Sequence, residues 1–159
     1  LKGWLEESVS RLVKTKLGDT AIPPGRYICH EDEEHSFVVM LMSWEKGFAS
    51  PIHTHACWGM ESVIRGELTI QEYDDDPKSP KKTNTLIAKV GDLLYQMPPK
   101  KDVHSVENSF DGETLSLHVY GRNMCDNKIF KEDEGFVAST LETKNPDGIF
   151  DIWTLTSIK

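Results

Sequence analysis

Residues 47–66 read GFASPIHTHACWGMESVIRG, and the reading of this stretch decides the rest of the chain. His53 and His55 are two apart. In a strand, residues i and i+2 point to the same face, so both imidazoles can reach one point in space, and that point can hold a metal ion. Gly47 and Gly66 bracket the pair in the spacing G-x5-H-x-H-x10-G. By itself an H-x-H pair on a strand is as readily exposed or hydrogen-bonded to its surroundings, so a metal reading depends on further ligands downstream.

Outward from this stretch, the chain reads as short β segments separated by turn residues. RYICHE and SFVVMLMSW precede it, and GELTIQEY, TLIAKV, GDLLYQM, DVHSVEN and TLSLHVY follow. Gly, Pro, Asp or Asn separates most of them, and DDDPKSPKKTN has the polar, proline-containing character of an exposed hairpin end. Only the front of the chain has helical periodicity: Trp4, Leu5, Val9, Leu12, Val13 and Leu17 recur among charged residues, predicting an amphipathic helix over 1–20 packed outside a barrel. Gly18 and the Pro23-Pro24-Gly25 connector end that pattern. The fold class expected is therefore all-β, an antiparallel barrel or jelly roll, in a single domain over 1–159. The tail beyond Gly121 is dominated by loop and edge-strand residues, with FDIWTL as a candidate last strand or anchoring segment.

The two-histidine stretch resembles the first motif of the cupin superfamily. GDLLYQMPPKKDVHSVEN resembles the second, through Gly91, Pro98, His104 and Asn108. One extra residue separates Gly91 from Pro98, and Lys101 or Asp102 stands where a glycine is usual before the histidine. The resemblance makes His104 the third metal ligand beside His53 and His55. Most metal cupins add a glutamate three or four residues after the H-x-H pair, where this chain has Gly59 and Met60. Glu61, one step further, would need a bulge or shifted register and is a reserve ligand. Three neutral imidazoles leave an Fe(II) ion its full charge and open positions, which favours an anionic chelating ligand such as a thiolate.

Within TLSLHVYG, Ser116, His118 and Tyr120 alternate with Leu115, Leu117 and Val119. In a barrel interior the three polar groups would form a hydrogen-bonded relay; otherwise they would be the wet side of a half-exposed strand. With the three histidines, this S-x-H-x-Y strand resembles the thiol dioxygenases, that is, cysteine dioxygenase and 3-mercaptopropionate dioxygenase. SFVVMLMSW, Trp58-Gly59, HVYG and IWTL are similar to the bacterial mercaptopropionate branch, and the resemblance covers most of Arg26 to Leu155. It implies a non-haem Fe(II) enzyme that oxidises a small thiol with O2 to a sulfinic acid, with Tyr120, His118 and Ser116 as the catalytic relay. Enzymes of the cysteine type hold the substrate carboxylate with an arginine before the first motif. Counted back from Phe37, the matching position is Arg26, while the mercaptopropionate type tends to carry glutamine there. Branch pattern and anchor therefore point to different substrates, L-cysteine or 3-mercaptopropionate, and Arg122 is a second candidate carboxylate partner. Gly59 stands where animal cysteine dioxygenases carry the cysteine that cross-links to the relay tyrosine, so no such cross-link is expected, and Cys57 falls elsewhere in the count. Two rivals remain open: another metal-dependent cupin with Glu61 recruited as a ligand, and a non-enzymatic ligand-binding cupin.

Composition narrows the partners. The 159 residues carry a formal net charge of −8 and a pI near 5.2, which argues against nucleic acid and anionic membrane surfaces. Cys29, Cys57 and Cys125 form neither a C-x-x-C pair nor an even framework, so free thiols in a reducing, cytoplasmic compartment are expected. No apolar run approaches the length of a membrane span.

Overall fold

The computed structural model describes residues 3, 4, 7, 21–31, 34, 36–121 and 127–139. Among these residues eleven strands are present: β1 (Gly25–Glu31), β2 (Val38–Trp44), β3 (His53–Thr54), β4 (Gly59–Arg65), β5 (Glu67–Tyr73), β6 (Lys82–Lys89), β7 (Leu93–Gln96), β8 (His104–Glu107), β9 (Thr114–Tyr120), β10 (Lys128–Lys131) and β11 (Gly135–Ala138). Every segment expected in the body of the chain is a strand. The helix expected over 1–20 lies outside the described residues except for Gly3, Trp4 and Glu7, of which Trp4 packs against the core. FDIWTL, Arg122 and Cys125 also lie outside them. The hairpin of β10 and β11 has no counterpart among the segments read from the sequence.

The strands form two sheets, ordered β1-β2-β9-β4-β7 and β11-β10-β3-β8-β5-β6, with every ladder between named strands antiparallel. β9 lies at the centre of the first sheet, and all seven of its residues are buried. Its outward row, Leu115, Leu117 and Val119, joins Ile22, Tyr27, Val39, Leu41 and Ile64 in one apolar cluster. The segment before β1 is tied over that face, because the Ser43 hydroxyl donates to the Ile22 carbonyl at 2.7 Å and the Tyr27 hydroxyl to the Pro23 carbonyl at 2.6 Å. A strand so covered has no wet side, and its inward row, Ser116, His118 and Tyr120, must find hydrogen-bond partners inside the barrel.

Two residues of the recognised motifs hold the barrel together. Gly66 turns β4 into β5 at φ +77°, and a Cβ there would stand 2.3 Å from Thr114 Oγ1, so only glycine suits the position. Asn108, fully buried, donates to the carbonyls of Trp44 and Gly112 and accepts from the Phe110 amide and the Thr114 hydroxyl. No helix among the described residues is long and apolar enough to cross a membrane.

Candidate metal centre

His53 and His55 lie at β3 and just beyond it, and His104 opens β8, directly opposite His53 in the ladder. The strand spacing and this pairing bring the three rings together, with one potential ligand atom from each within 4.8 Å of the others. The Nδ1 of His53 donates to the Pro51 carbonyl at 2.9 Å, and that of His104 to the Asp102 carbonyl at 3.0 Å. A backbone carbonyl only accepts, so each ring carries its hydrogen on Nδ1 and has a bare Nε2, which on His104 lies 3.4 Å from the Gln96 amide nitrogen. Burial pushes the His53 pKa down to about 4, aided by the neighbouring His55, and holds that of His104 well below the usual value. Both rings are then neutral at pH 7, as metal ligation requires. Three imidazoles on one point fit a divalent first-row metal.

Asp102 builds this site in a way the sequence did not announce. Its carboxylate accepts the backbone N–H of His55 at 2.8 Å and of Ala56 at 3.1 Å, and lies 3.5 Å from His55 Nδ1. Ala56 is held at a left-handed φ of 54°, uncommon for a residue with a side chain. Burial opposes ionisation of Asp102, but the contacts with the His55 side chain and the two amides outweigh it and keep the carboxyl below its ordinary range.

On β9, the Ser116 hydroxyl lies 2.7 Å from His118 Nε2, and His118 Nδ1 lies 2.9 Å from the Tyr120 hydroxyl. Trp44, not singled out from the sequence, donates its indole N–H to Ser116 Oγ at 2.8 Å. The Tyr120 ring stacks on His55 with centroids 4.9 Å apart, which brings the row of three to the histidine cluster. Burial, followed by the charge of Glu61, raises the Tyr120 pKa well above 10, so the phenol keeps its proton.

Glu61 is not in the histidine cluster. The β4–β9 register sets it opposite His118, with Oε2 3.1 Å from His118 Nδ1. Burial opposes its charge, yet the hydrogen bond with His118 brings its carboxyl below the usual value. Gly59, two residues earlier on the same face, stands opposite Tyr120. A Cβ at Gly59 would lie 2.9 Å from the Tyr120 ring and 2.7 Å from Gln96 Oε1. Cys57 packs in the apolar cluster that includes Tyr120, nearer the tyrosine than its place in the motif suggested.

A cavity of about 200 Å³ joins these groups, lined among others by Arg26, Trp44, the three histidines, Glu61 and Tyr120. Arg26 enters it from β1, where it pairs with Met42 and through it with Ser116. The volume is below the range of drug-sized sites and suits a molecule of a few heavy atoms.

No family model matches the chain. Among solved structures it is similar to a Klebsiella pneumoniae protein with a double-stranded β-helix domain, at 18% identity over 76% of this chain and 83% of that one, TM-score 0.51. It is also similar to an RmlC-like cupin family protein from Methanocaldococcus jannaschii, at 14% identity over 65% and 84% of the two chains, TM-score 0.51. An oxalate oxidase matches at 16% identity and TM-score 0.50, over 76% of this chain and 58% of the oxidase. At such identities the likeness is one of architecture, and that architecture is the double-stranded β-helix of the cupins.

Proposed function

We propose that this protein is a non-haem iron thiol dioxygenase that converts a small thiol acid, L-cysteine or 3-mercaptopropionate, into its sulfinic acid. The observation that carries this reading is the meeting, in one small cavity, of a three-histidine cluster, a guanidinium and a phenol buttressed by a buried histidine and serine. His53, His55 and His104 would hold Fe(II). When bound, the ion supplies deprotonation of the thiol and activation of oxygen, so that RSH and O2 combine to RSO2H with both oxygen atoms on sulfur.

The chain's own residues would do the rest. Arg26 offers a planar, two-pronged donor set that matches a carboxylate and would fix which end of the substrate faces the histidines. Tyr120, protonated at neutral pH, would hydrogen-bond the anionic reacting group, and His118 with Ser116 keeps the phenol in place. A cavity of about 200 Å³ suits a thiol of a few heavy atoms. Glu61, paired with His118, leaves the ligand set as three histidines, which disfavours the metal cupins that ligate through a glutamate. Nucleic acid and membranes are not partners in this reading. A reducing cytoplasm is the compartment this reading expects.

Thiol-dependent oxygen uptake by the iron-loaded chain tests the reading. Uptake with a thiol acid and little with cysteamine, which lacks the carboxylate, is the expected result. Equal uptake with cysteamine would remove Arg26 from its role, and no uptake with any thiol would remove the function.

A further inference from the structure

The buried row on β9 has a direction, and Glu61 sets it. The Trp44 indole N–H can only donate, and it donates to Ser116 Oγ at 2.8 Å. Among the described residues, the single hydroxyl hydrogen of Ser116 has one hydrogen-bond acceptor, His118 Nε2 at 2.7 Å. Used there, it makes Nε2 the unprotonated nitrogen, and a neutral His118 then carries its hydrogen on Nδ1. The Ser116 oxygen can also accept from a protonated Nε2, at the cost of leaving its own hydrogen unused, so the other side of the ring is what fixes the tautomer. Glu61, 5% exposed, holds Oε2 3.1 Å from Nδ1, and an ionised carboxylate only accepts.

This polarity decides what Tyr120 presents to the cavity. Its hydroxyl lies 2.9 Å from the same Nδ1. If Nδ1 were bare, the phenol would donate its hydrogen backwards to the imidazole and turn a lone pair to the metal centre. With Nδ1 protonated that route is closed: the phenol oxygen can share the Nδ1–H, and its own hydrogen is left for a ligand in the cavity. Among the described residues, the one hydrogen bond of that hydroxyl is to His118 Nδ1.

We propose that Glu61 is a positioning residue that locks His118 as the Nδ1–H tautomer and thereby makes Tyr120 a hydrogen-bond donor to an anionic atom bound beside the three histidines. The tautomer follows from Trp44, Ser116, His118 and Glu61 whatever the substrate is. The use of the donor during turnover rests on the thiol-oxygenation reading above, where the anionic atom is a thiolate or the oxygen being transferred.

The test is a long-range proton–nitrogen NMR spectrum of the full chain labelled with ¹⁵N-histidine, which distinguishes protonated from bare ring nitrogens and needs neither metal nor turnover. His118 is assigned by the signals missing from His118→Gln. Expected are a protonated Nδ1 and bare Nε2 in the wild type, and in Glu61→Ala a shift of the hydrogen to Nε2 as Tyr120 donates to the freed Nδ1. A wild-type spectrum with the hydrogen on Nε2 overturns the proposal, even if the variant does not fold, and so does a folded Glu61→Ala that keeps the wild-type tautomer. In the iron-loaded enzyme, Glu61→Ala is expected to lower kcat more than it raises KM, and to add little to Tyr120→Phe. An inactive wild type with the expected spectrum would refute the dioxygenase and leave the tautomer standing.

Discussion

The Asp102 carboxylate accepts the backbone N–H of His55 at 2.8 Å while standing 3.5 Å from the ring Nδ1 of the same residue. One side chain thus fixes both the loop that carries a histidine and the edge of its imidazole. Outer groups of this kind orient metal-binding histidines, and their loss typically weakens affinity about 10–100-fold. Asp102→Ala should therefore bind Fe(II) or Zn(II) roughly 10–100-fold more weakly by competition with a chelator, with the barrel still folded. Wild-type affinity in this variant would mean that His55 is positioned by its strand alone.

Tyr120→Phe removes a buried hydroxyl that touches His118 but leaves all three histidines in place. It should retain one metal per chain and slow turnover by on the order of 100-fold, the typical effect of losing one donor to a developing anion. Oxygen consumed without sulfinate formed would be a second sign. Unchanged rate and coupling would take the β9 row out of the chemistry.

Gly59→Ala probes how closely β4 approaches the tyrosine. The added methyl would meet the Tyr120 ring at 2.9 Å and Gln96 Oε1 at 2.7 Å. Gln96 can turn aside, but the tyrosine, stacked on His55 and bonded to His118, has nowhere to go. A loss of about 1–3 kcal/mol in denaturant unfolding, the usual range for overpacking, should accompany the displacement. Wild-type stability would show that the ring has room to shift.

Acid should destabilise the metal-free chain early. His53, with a pKa near 4 when folded against 6.5 unfolded, and His104, shifted the same way, take up protons in the unfolded state before they do in the folded one. Between about pH 6.5 and 4 the unfolded state therefore binds more protons, and stability falls as pH falls. The lowered carboxyls of Glu61 and Asp102 extend the loss below their ordinary range. Urea midpoints measured across this window should decline as the pH is lowered, and less steeply in His53→Gln. A flat profile would contradict the assigned burial of the pair.

Strand period made much of this legible before the structure. The two-residue spacing of His53 and His55, and of Ser116, His118 and Tyr120, assigns faces without knowledge of neighbours, and the motif glycines mark the turns. What spacing cannot convey is what lies across the barrel. Whether the polar row of β9 was wet depended on Ile22 and Tyr27 covering its far side. Asp102 reaches His55 across 47 positions and Trp44 reaches Ser116 across 72, and spacing along the chain reveals neither contact. Motif spacing makes Glu61 a reserve ligand one step out of place, and its pairing with His118 emerges only from the β4–β9 register. The β10–β11 hairpin, KIFK and GFVA, is too short to show alternation.

The most direct test of the central claim is the stoichiometry of sulfinate to oxygen in the Fe(II)-reconstituted protein, with L-cysteine and 3-mercaptopropionate side by side. The account predicts one sulfinate per O2 consumed with at least one of these thiol acids, and a rise in KM for that substrate in Arg26→Gln. Stoichiometrically bound iron with no sulfinate from either thiol would contradict it.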